Sequence, residues 1–231
     1  MQIDSRQWKD VVRKGAAELG VDLADSALEM LAVHAEELLK WNRITNLTAI
    51  TDPHEVAVKH FIDSLAVIKM VSGRVLDIGS GGGFPGIPLK IVMPSLSVTL
   101  ADAARKRVNF LKHMIRTLKM PGIDAHHVRG EQLPGKELVS QGFDVVICRA
   151  FTGLDRFVPM ALPLLREGGV ILAMKGKEID GELSALESIR LPGGGALSTE
   201  VLRYTLPFLG SERAIFTIKP AASQPCAPGG Q

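Results

Sequence analysis

The sequence has little of what marks a secreted, metal-bound or membrane protein. Only two of its 231 residues are cysteine, Cys148 and Cys226. They form no C-x-x-C pair and no Cys/His cluster, which argues against a disulfide framework and against a metal site. No apolar run approaches the ~20 residues that a membrane span needs. The opening Met1-Gln2-Ile3-Asp4 is polar and starts no apolar signal core. The expected location is therefore the cytoplasm. Aromatic residues make up only 5%, and no cage of stacking rings can be picked out. Charge of one sign is also scarce: the net charge is +2 and the pI near 8.6, below the ~9 that flags a nucleic-acid-binding domain.

What is present is ordinary for a folded chain, with 46% hydrophobic and 23% charged residues. The length allows one large domain, or one with a small appendage. Charge is unevenly spread. Residues 1–70 carry 8 basic and 11 acidic side chains, and the remainder 19 basic and 14 acidic. The positive excess falls on the part assigned below to catalysis, which suits an anionic substrate.

Periodicity divides the chain. Residues 4–19 and 25–41 read as amphipathic helices, the first capped by Asp4 and ended by Gly20. In the second, Leu28, Leu31, Ala32, Ala35, Leu38 and Leu39 make an apolar face. A loop, Asn42 to Thr48, follows. Asp52-Pro53-His54-Glu55 then has the pattern of a helix start, and that helix should reach about Met70. Beyond it strands and helices alternate: strands 74–78, 97–101, 125–128, 143–148 and 170–174, and helices 104–120, 154–165 (with Pro159 and Pro163 inside) and 179–189. Such alternation predicts a parallel sheet covered on both faces. Two last strand-like runs, 196–206 and 213–219, should pair antiparallel. The tail after Pro220 is rich in Pro, Gly and small residues and is expected to be disordered. The expected organisation is a helical cap over 1–70, a Rossmann-like α/β domain over 71–220, and a tail over 221–231.

The informative motif is Asp77-Ile78-Gly79-Ser80-Gly81-Gly82-Gly83-Phe84-Pro85-Gly86. A glycine-rich turn after a strand lets a ligand lie against bare backbone, because no Cβ intervenes. A P-loop is excluded, since no Gly-Lys-Ser/Thr follows. Gly81-x-Gly83-x-x-Gly86 matches the dinucleotide fingerprint of an NAD-dependent oxidoreductase. However, Pro85 lies inside the match, and Pro88 falls where a helix N-terminus should offer N–H groups to a pyrophosphate. The alternative Asp77-x-Gly79-x-Gly81 fits the first motif of S-adenosylmethionine enzymes, where the acid serves the cofactor's ammonium or a water. Asp102 ends the second strand, where an acid can bond both ribose hydroxyls of either cofactor; a cap on the next helix is the lesser reading, and one residue can serve both roles.

The whole loop, Asp77 through Pro88, resembles one family closely: the small-subunit rRNA methyltransferase G family, also called glucose-inhibited division protein B. The stretches Trp41–Thr48, His60–Leu65, Arg105–Leu111, Cys148-Arg149-Ala150-Phe151 and Lys175-Gly176 agree with it, over about residues 38–176. The resemblance implies a class I methyltransferase fold with an antiparallel last strand. It implies S-adenosylmethionine-dependent N7-methylation of a guanine in the decoding-centre loop of bacterial 16S rRNA. It also implies cofactor contacts at Gly79, Phe84, Gly130, Glu131 and Arg149. The family usually carries a small residue where this chain has Cys148.

The chemistry agrees with what is missing. Guanine N7 has an in-plane lone pair and no proton, so no general base is required. Positioning and desolvation should carry the reaction. A carboxylate near the purine would help as positive charge develops, but the sequence names none. Arg149, after the fourth strand, lies where such folds bind ligands and can serve cofactor, RNA phosphate or a base edge. Cys148 raises C5-methylation of cytosine as a rival, though a buried structural thiol suits its strand position better. His60 reads as a core histidine sooner than a catalytic one. Arg105, Lys112, Arg116 and Lys119 share one helix face, either a phosphate-binding stripe or a plain solvated face. Lys175 and Lys177 stand nearer the cleft. The partner implied is 16S rRNA or the small subunit, met by a monomer. The alternative in another class is an rRNA-binding assembly factor that kept the fold and lost turnover.

Overall fold

The computed structural model describes residues 1–150, 152–189 and 196–220. Phe151 and the tail expected to be disordered lie outside them. Helix α1 (Arg6–Glu18) is capped by Ser5, whose hydroxyl accepts from the Trp8 N–H at 3.2 Å. Asp4, the expected cap, instead takes a left-handed φ of 66° and pairs with Lys9 at 2.7 Å. Gly20 ends α1 as expected. Its φ of 72° lets its own N–H and that of Val21 close on Ala17 and Ala16.

Helix α2 (Asp25–Thr45) outlasts its expected end and takes in part of the expected loop. Its apolar pattern stops near residue 41, but packing does not: Trp41 sits against Phe110 and His113. Asn46, at φ 50°, ends it. The next helix begins as read, with Asp52 accepting from the Glu55 N–H at 2.9 Å and Pro53 in the first turn. It runs as α3 (Pro53–Val56), a π-helical stretch Ala57–Ile62, α4 (Asp63–Leu65) and a 3-10 turn Ile68–Met70.

The strands are β1 (Arg74–Ile78), β2 (Ser97–Asp102), β3 (Ile123–His127), β4 (Phe143–Arg149), β5 (Leu165–Lys175), β6 (Leu197–Leu206) and β7 (Ser211–Pro220). They form one sheet in the order β3-β2-β1-β4-β5-β7-β6. The first five are parallel, and β7 lies antiparallel to both β5 and β6. β3 starts two residues earlier than the sequence suggested, and β5 is longer at both ends. A helix that the sequence reading left out, α5 (Gly86–Val92), leads from the glycine loop toward β2. Its two prolines hid it. Pro85 is its cap and Pro88 sits in its first turn, where a missing N–H costs nothing. Helices α6 (Arg105–Thr117), α7 (Leu154–Ala161, continued by the 3-10 turn Leu162–Leu164) and α8 (Asp180–Glu187) complete the layers.

Two cores result. On one face α1, α2, α5 and α6 share a continuous apolar cluster with β1 and β2, in which Trp8, Leu31, Leu38, Phe61 and Phe110 are fully buried. The N-terminal helices therefore pack directly on the sheet and on the glycine loop. On the other face α7 and α8 cover Leu76, Val146, Cys148 and Ile171. Strand order reverses between β1 and β4, and the cleft described next opens there, at the carboxyl ends of the strands.

Candidate active site

The turn after β1 is fixed from below. Gly79 and Ser80 N–H groups both donate to the Ala101 carbonyl, at 2.8 and 3.2 Å, and the Ser80 hydroxyl donates to the Asp77 carbonyl at 2.9 Å. Asp77 accepts the Gly86 N–H at 3.0 Å. Its carboxyl is fully buried under the loop, and burial raises its pKa to about 7. Asp77 thus holds the loop together and does not line the cleft, unlike the acid the motif suggested for the cofactor's ammonium. Gly79, Gly81 and Gly83 all have positive φ. At Gly81 an added Cβ would find room, its nearest neighbour being the Gly79 carbonyl oxygen at an ordinary contact distance of 3.8 Å. That gap is a bare-backbone cradle on the wall of a cleft of about 500 Å³, within the range of small-ligand sites.

Asp102 ends β2 beside the cradle. Its carboxylate accepts the Gly81 N–H at 2.9 Å and the Ala104 N–H at 2.8 Å, with Arg107 at 3.6 Å. It thus supports both the loop and the start of α6, and each oxygen keeps a further lone pair. The cradle and the cleft fit S-adenosylmethionine; Asp102 braces the loop but, like Asp77, is not among the residues that line the cleft. The cradle and the cleft do not fit a dinucleotide. The first N–H groups of α5 are already used, Gly86 by Asp77 and Ile87 by the Gly83 carbonyl, and Pro88 has none.

Phe84 is the hub of the cleft's floor. Its ring lies between two imidazoles, stacked on His34 at 4.8 Å and on His60 at 4.6 Å, with the Arg149 guanidinium 5.0 Å from its centre. His34 donates from Nε2 to the Gly82 carbonyl at 2.8 Å. Burial lowers its pKa to about 4, so it is neutral. His60 is neutral as well, its pKa lowered to about 3 by burial and then by Arg149. Arginine has only donors, so His60 Nδ1 accepts from Arg149 at 3.1 Å and Nε2–H donates to Thr48 at 2.8 Å. The sequence reading took His60 for a core histidine; it is buried, yet it lines the cleft.

Arg149 spends its fork inside the protein. Nη1 donates to the Lys59 carbonyl at 2.6 Å and to Asp63 at 3.1 Å. Asp63 also accepts from the Tyr204 hydroxyl at 2.8 Å, and Arg213 stands 3.6 Å away. Burial, and then Asp63, push the Tyr204 pKa up, so the phenol keeps its proton. Sequence reasoning missed His34, Asp63 and Tyr204. The signals were faint: a histidine on the apolar face of α2, an acid three residues after His60, and the chain's one tyrosine.

The remaining candidates are scattered. Gly130 and Glu131 form the turn after β3, outside the cleft lining. A side chain at Gly130 would run into the Met160 sulfur. Lys175 lines the cleft, but its ammonium is bound to Glu182 at 2.7 Å and to the Thr152 carbonyl. Lys177 is exposed and faces Glu212 at 3.5 Å. Arg105, Lys112 and Arg116 are exposed on α6. Cys148 is fully buried in the core on the α7 side, with no access for an attacking thiolate.

The sheet order, the glycine turn after β1 and the acid closing β2 define a class I S-adenosylmethionine-dependent methyltransferase. Solved structures of that class share the fold. One is the O-methyltransferase from Bacillus cereus in complex with SAH (TM-score 0.60, 18% identity, 92% of this chain and 98% of that one). Another is TYW2 of P. horikoshii in complex with MeSAdo (TM-score 0.54, 16% identity, 70% and 62%). At the level of sequence, the family described as GidB, rRNA small subunit methyltransferase G, matches residues 27–193. Curated proteins named ribosomal RNA small subunit methyltransferase G align along nearly their whole length. That of Geobacter sp. strain M21 is 48% identical, covering 91% of this chain and 96% of its own. That of Geobacter sulfurreducens is 42% identical, covering 90% and 95%. The chain belongs to the rRNA small subunit methyltransferase G family.

Proposed function

We propose that the protein transfers a methyl group from S-adenosylmethionine to N7 of a guanine in the decoding-centre loop of 16S rRNA. The observation that carries this reading is the Gly79–Gly82 backbone, open to the cleft and braced by Asp102, in a chain of this family. The bound cofactor supplies a sulfonium methyl that a ring-nitrogen lone pair can displace. The chain's own part is placement. Gly79, Gly81 and Asp102 hold one side of the cleft, while Phe84, with His34 and His60 neutral on either face, excludes water from its floor. No side chain has to take a proton, and the low pKa values of His34 and His60 leave neither protonated at neutral pH.

The RNA is held by charge outside the cleft. Arg105, Lys112 and Arg116 make no ion pair among the described residues and face solvent on α6, which suits phosphate binding. Lys175, already paired, suits an organising role. The protein acts as a monomer in the cytoplasm, on the small subunit or a precursor of it. Among the described residues no helix is long and apolar enough to cross a membrane.

The test is transfer of labelled methyl to small subunits, and to naked 16S rRNA, from cells lacking this gene. The label is then mapped by chain cleavage specific for N7-methylguanine. One labelled guanine in the decoding-centre loop is the expected result. Cofactor binding without transfer to either RNA would overturn the proposal in favour of a binding role.

A further inference from the structure

The cleft has two unlike sides. One is the glycine loop, backbone laid bare for the cofactor. The other is built by the N-terminal helices and the β6–β7 hairpin, and at its base sits Asp63. Among the described residues lining the cleft, Asp63 is the one carboxylate, and two arginines flank it: Arg149 at 3.1 Å and Arg213 at 3.6 Å. A buried acid in such a setting needs an account, because burying the charge is costly even when it is paired.

We propose that Asp63 reads the target guanine, accepting hydrogen bonds from its N1–H and 2-amino group. This rests on the function proposed above. Two carboxylate oxygens offer about four acceptor sites. Hydrogen bonds from the Tyr204 hydroxyl at 2.8 Å and Arg149 Nη1 at 3.1 Å take two of them. Arg213, at 3.6 Å, contributes charge without a hydrogen bond. Two acceptor sites remain, which is what a guanine Watson–Crick edge requires. The orientation follows from the chemistry: N7 must face the cofactor wall, so N1–H and N2–H face away from it, toward the side holding Asp63. Adenine presents no such pair of donors there, and uracil and cytosine have no N7.

The same contact serves the chemical step. Methylation at N7 leaves the purine positively charged and makes N1–H more acidic. A hydrogen bond from N1–H to a carboxylate therefore strengthens as the methyl is transferred, which lowers the barrier as well as aiding binding. Electrons and atoms balance without a base: the N7 lone pair forms the new N–CH3 bond, the sulfonium–carbon bond breaks, and its electron pair stays on sulfur. No proton leaves N1. Arg149 and Tyr204 each hold one oxygen of Asp63, so its carboxylate is positioned before the base arrives.

The experiment compares small subunits reconstituted with ligated 16S rRNA carrying either guanosine or inosine at the target position. Inosine keeps N7 and N1–H and lacks only the 2-amino group. The unaltered protein is expected to prefer guanosine in kcat/KM by roughly 10- to 100-fold, the effect of one hydrogen bond to a charged acceptor. In Asp63→Asn the preference should collapse, with kcat on guanosine lowered and calorimetric affinity for S-adenosylhomocysteine retained. Equal rates on guanosine and inosine with the unaltered protein would overturn the proposal even if the variant fails to fold. So would a variant that keeps the full preference, or one that loses affinity for S-adenosylhomocysteine in proportion to its activity, since Asp63 would then act through Arg149. No transfer to either RNA by the unaltered protein would remove the proposed function itself, and this inference with it.

Discussion

His34 Nε2 donates a 2.8 Å hydrogen bond to the Gly82 carbonyl across 48 residues of sequence. A helix of the N-terminal layer thereby holds the glycine loop that forms one wall of the cleft. The same imidazole stacks on Phe84, two residues further on, so loop and aromatic floor are fixed by one side chain. A flexible glycine turn gains its shape from outside itself.

Replacing His34 by Ala removes that donor and leaves a hole beneath Phe84. The expected cost is about 2–4 kcal/mol, combining a lost buried hydrogen bond with cavity formation. Affinity for S-adenosylhomocysteine should fall in parallel, because the loop loses its tether. Denaturant melts and titration calorimetry measure the two effects, and a stable variant with unchanged affinity contradicts the tether.

The pH dependence of stability has a definite sign. His34 and His60 have pKa values of about 4 and about 3, against 6.5 when unfolded. The stability they contribute is complete above pH 6.5 and is lost as pH falls from there through about 4 for His34 and about 3 for His60. Asp77, raised from 3.8 to about 7, opposes them: its contribution is complete below 3.8 and fades as pH rises toward 7. Between pH 4 and 6.5 the two histidines outweigh the one acid by a single proton, so stability should fall by about 1.4 kcal/mol per unit of acidification. His34→Gln, which keeps a donor for Gly82 and cannot titrate, should flatten that slope in urea melts across the window.

Two neighbouring glycines should fail differently. Gly81→Ala places a methyl in the open cradle at φ 56°. Backbone strain should cost only about 1 kcal/mol, while cofactor affinity drops sharply. Gly82→Ala instead brings its methyl within 2.8 Å of Leu38 Cδ1 and 3.2 Å of Phe84 Cε2, so the main loss should be in thermal stability. Measuring melting temperature and S-adenosylhomocysteine affinity for both variants separates cradle from packing.

Arg149→Lys keeps the charge and loses the fork. A single ammonium cannot serve the Lys59 carbonyl, Asp63 and His60 together. Turnover should fall more than tenfold, a loss of at least one charge-assisted hydrogen bond, with the fold retained by circular dichroism. A lysine variant of normal activity would mean that charge alone matters at this position.

For RNA binding, Arg105, Lys112 and Arg116 changed together to Gln should weaken association with the small subunit. The slope of log affinity against log salt should shrink by ~0.7–0.9 for each phosphate no longer neutralised. Cofactor affinity should stay as it was. An unchanged slope would return α6 to the status of an ordinary solvated face.

Much of this molecule is local in origin and so can be read along the chain. Alternation of apolar runs sets the five parallel strands, because strand and helix periods are properties of consecutive residues. The glycine turn is legible for the same reason: freedom at positive φ and the lack of a Cβ belong to Gly79, Gly81 and Gly83 themselves. Two of the boundaries that moved were local contests decided elsewhere. Trp41 extends α2 by packing on Phe110. Ser5 displaces Asp4 as a cap because a turned backbone puts its hydroxyl closer to the helix.

The far wall of the cleft is another matter. Asp63, Arg149 and Tyr204 lie 86 and 141 positions apart along the chain and meet within 3.1 Å. No periodicity couples residues on a short N-terminal helix, a central strand and an antiparallel hairpin. Sheet order does that, by setting β7 beside β5 and β6 beside β7, while the N-terminal helices pack across the carboxyl edge. The sequence by itself determined the kind of cofactor wall, since that wall is backbone. Only the tertiary structure decided which side chains line the cleft, since burial, neutral histidines and a partnered carboxylate arise from what distant segments bring to one place.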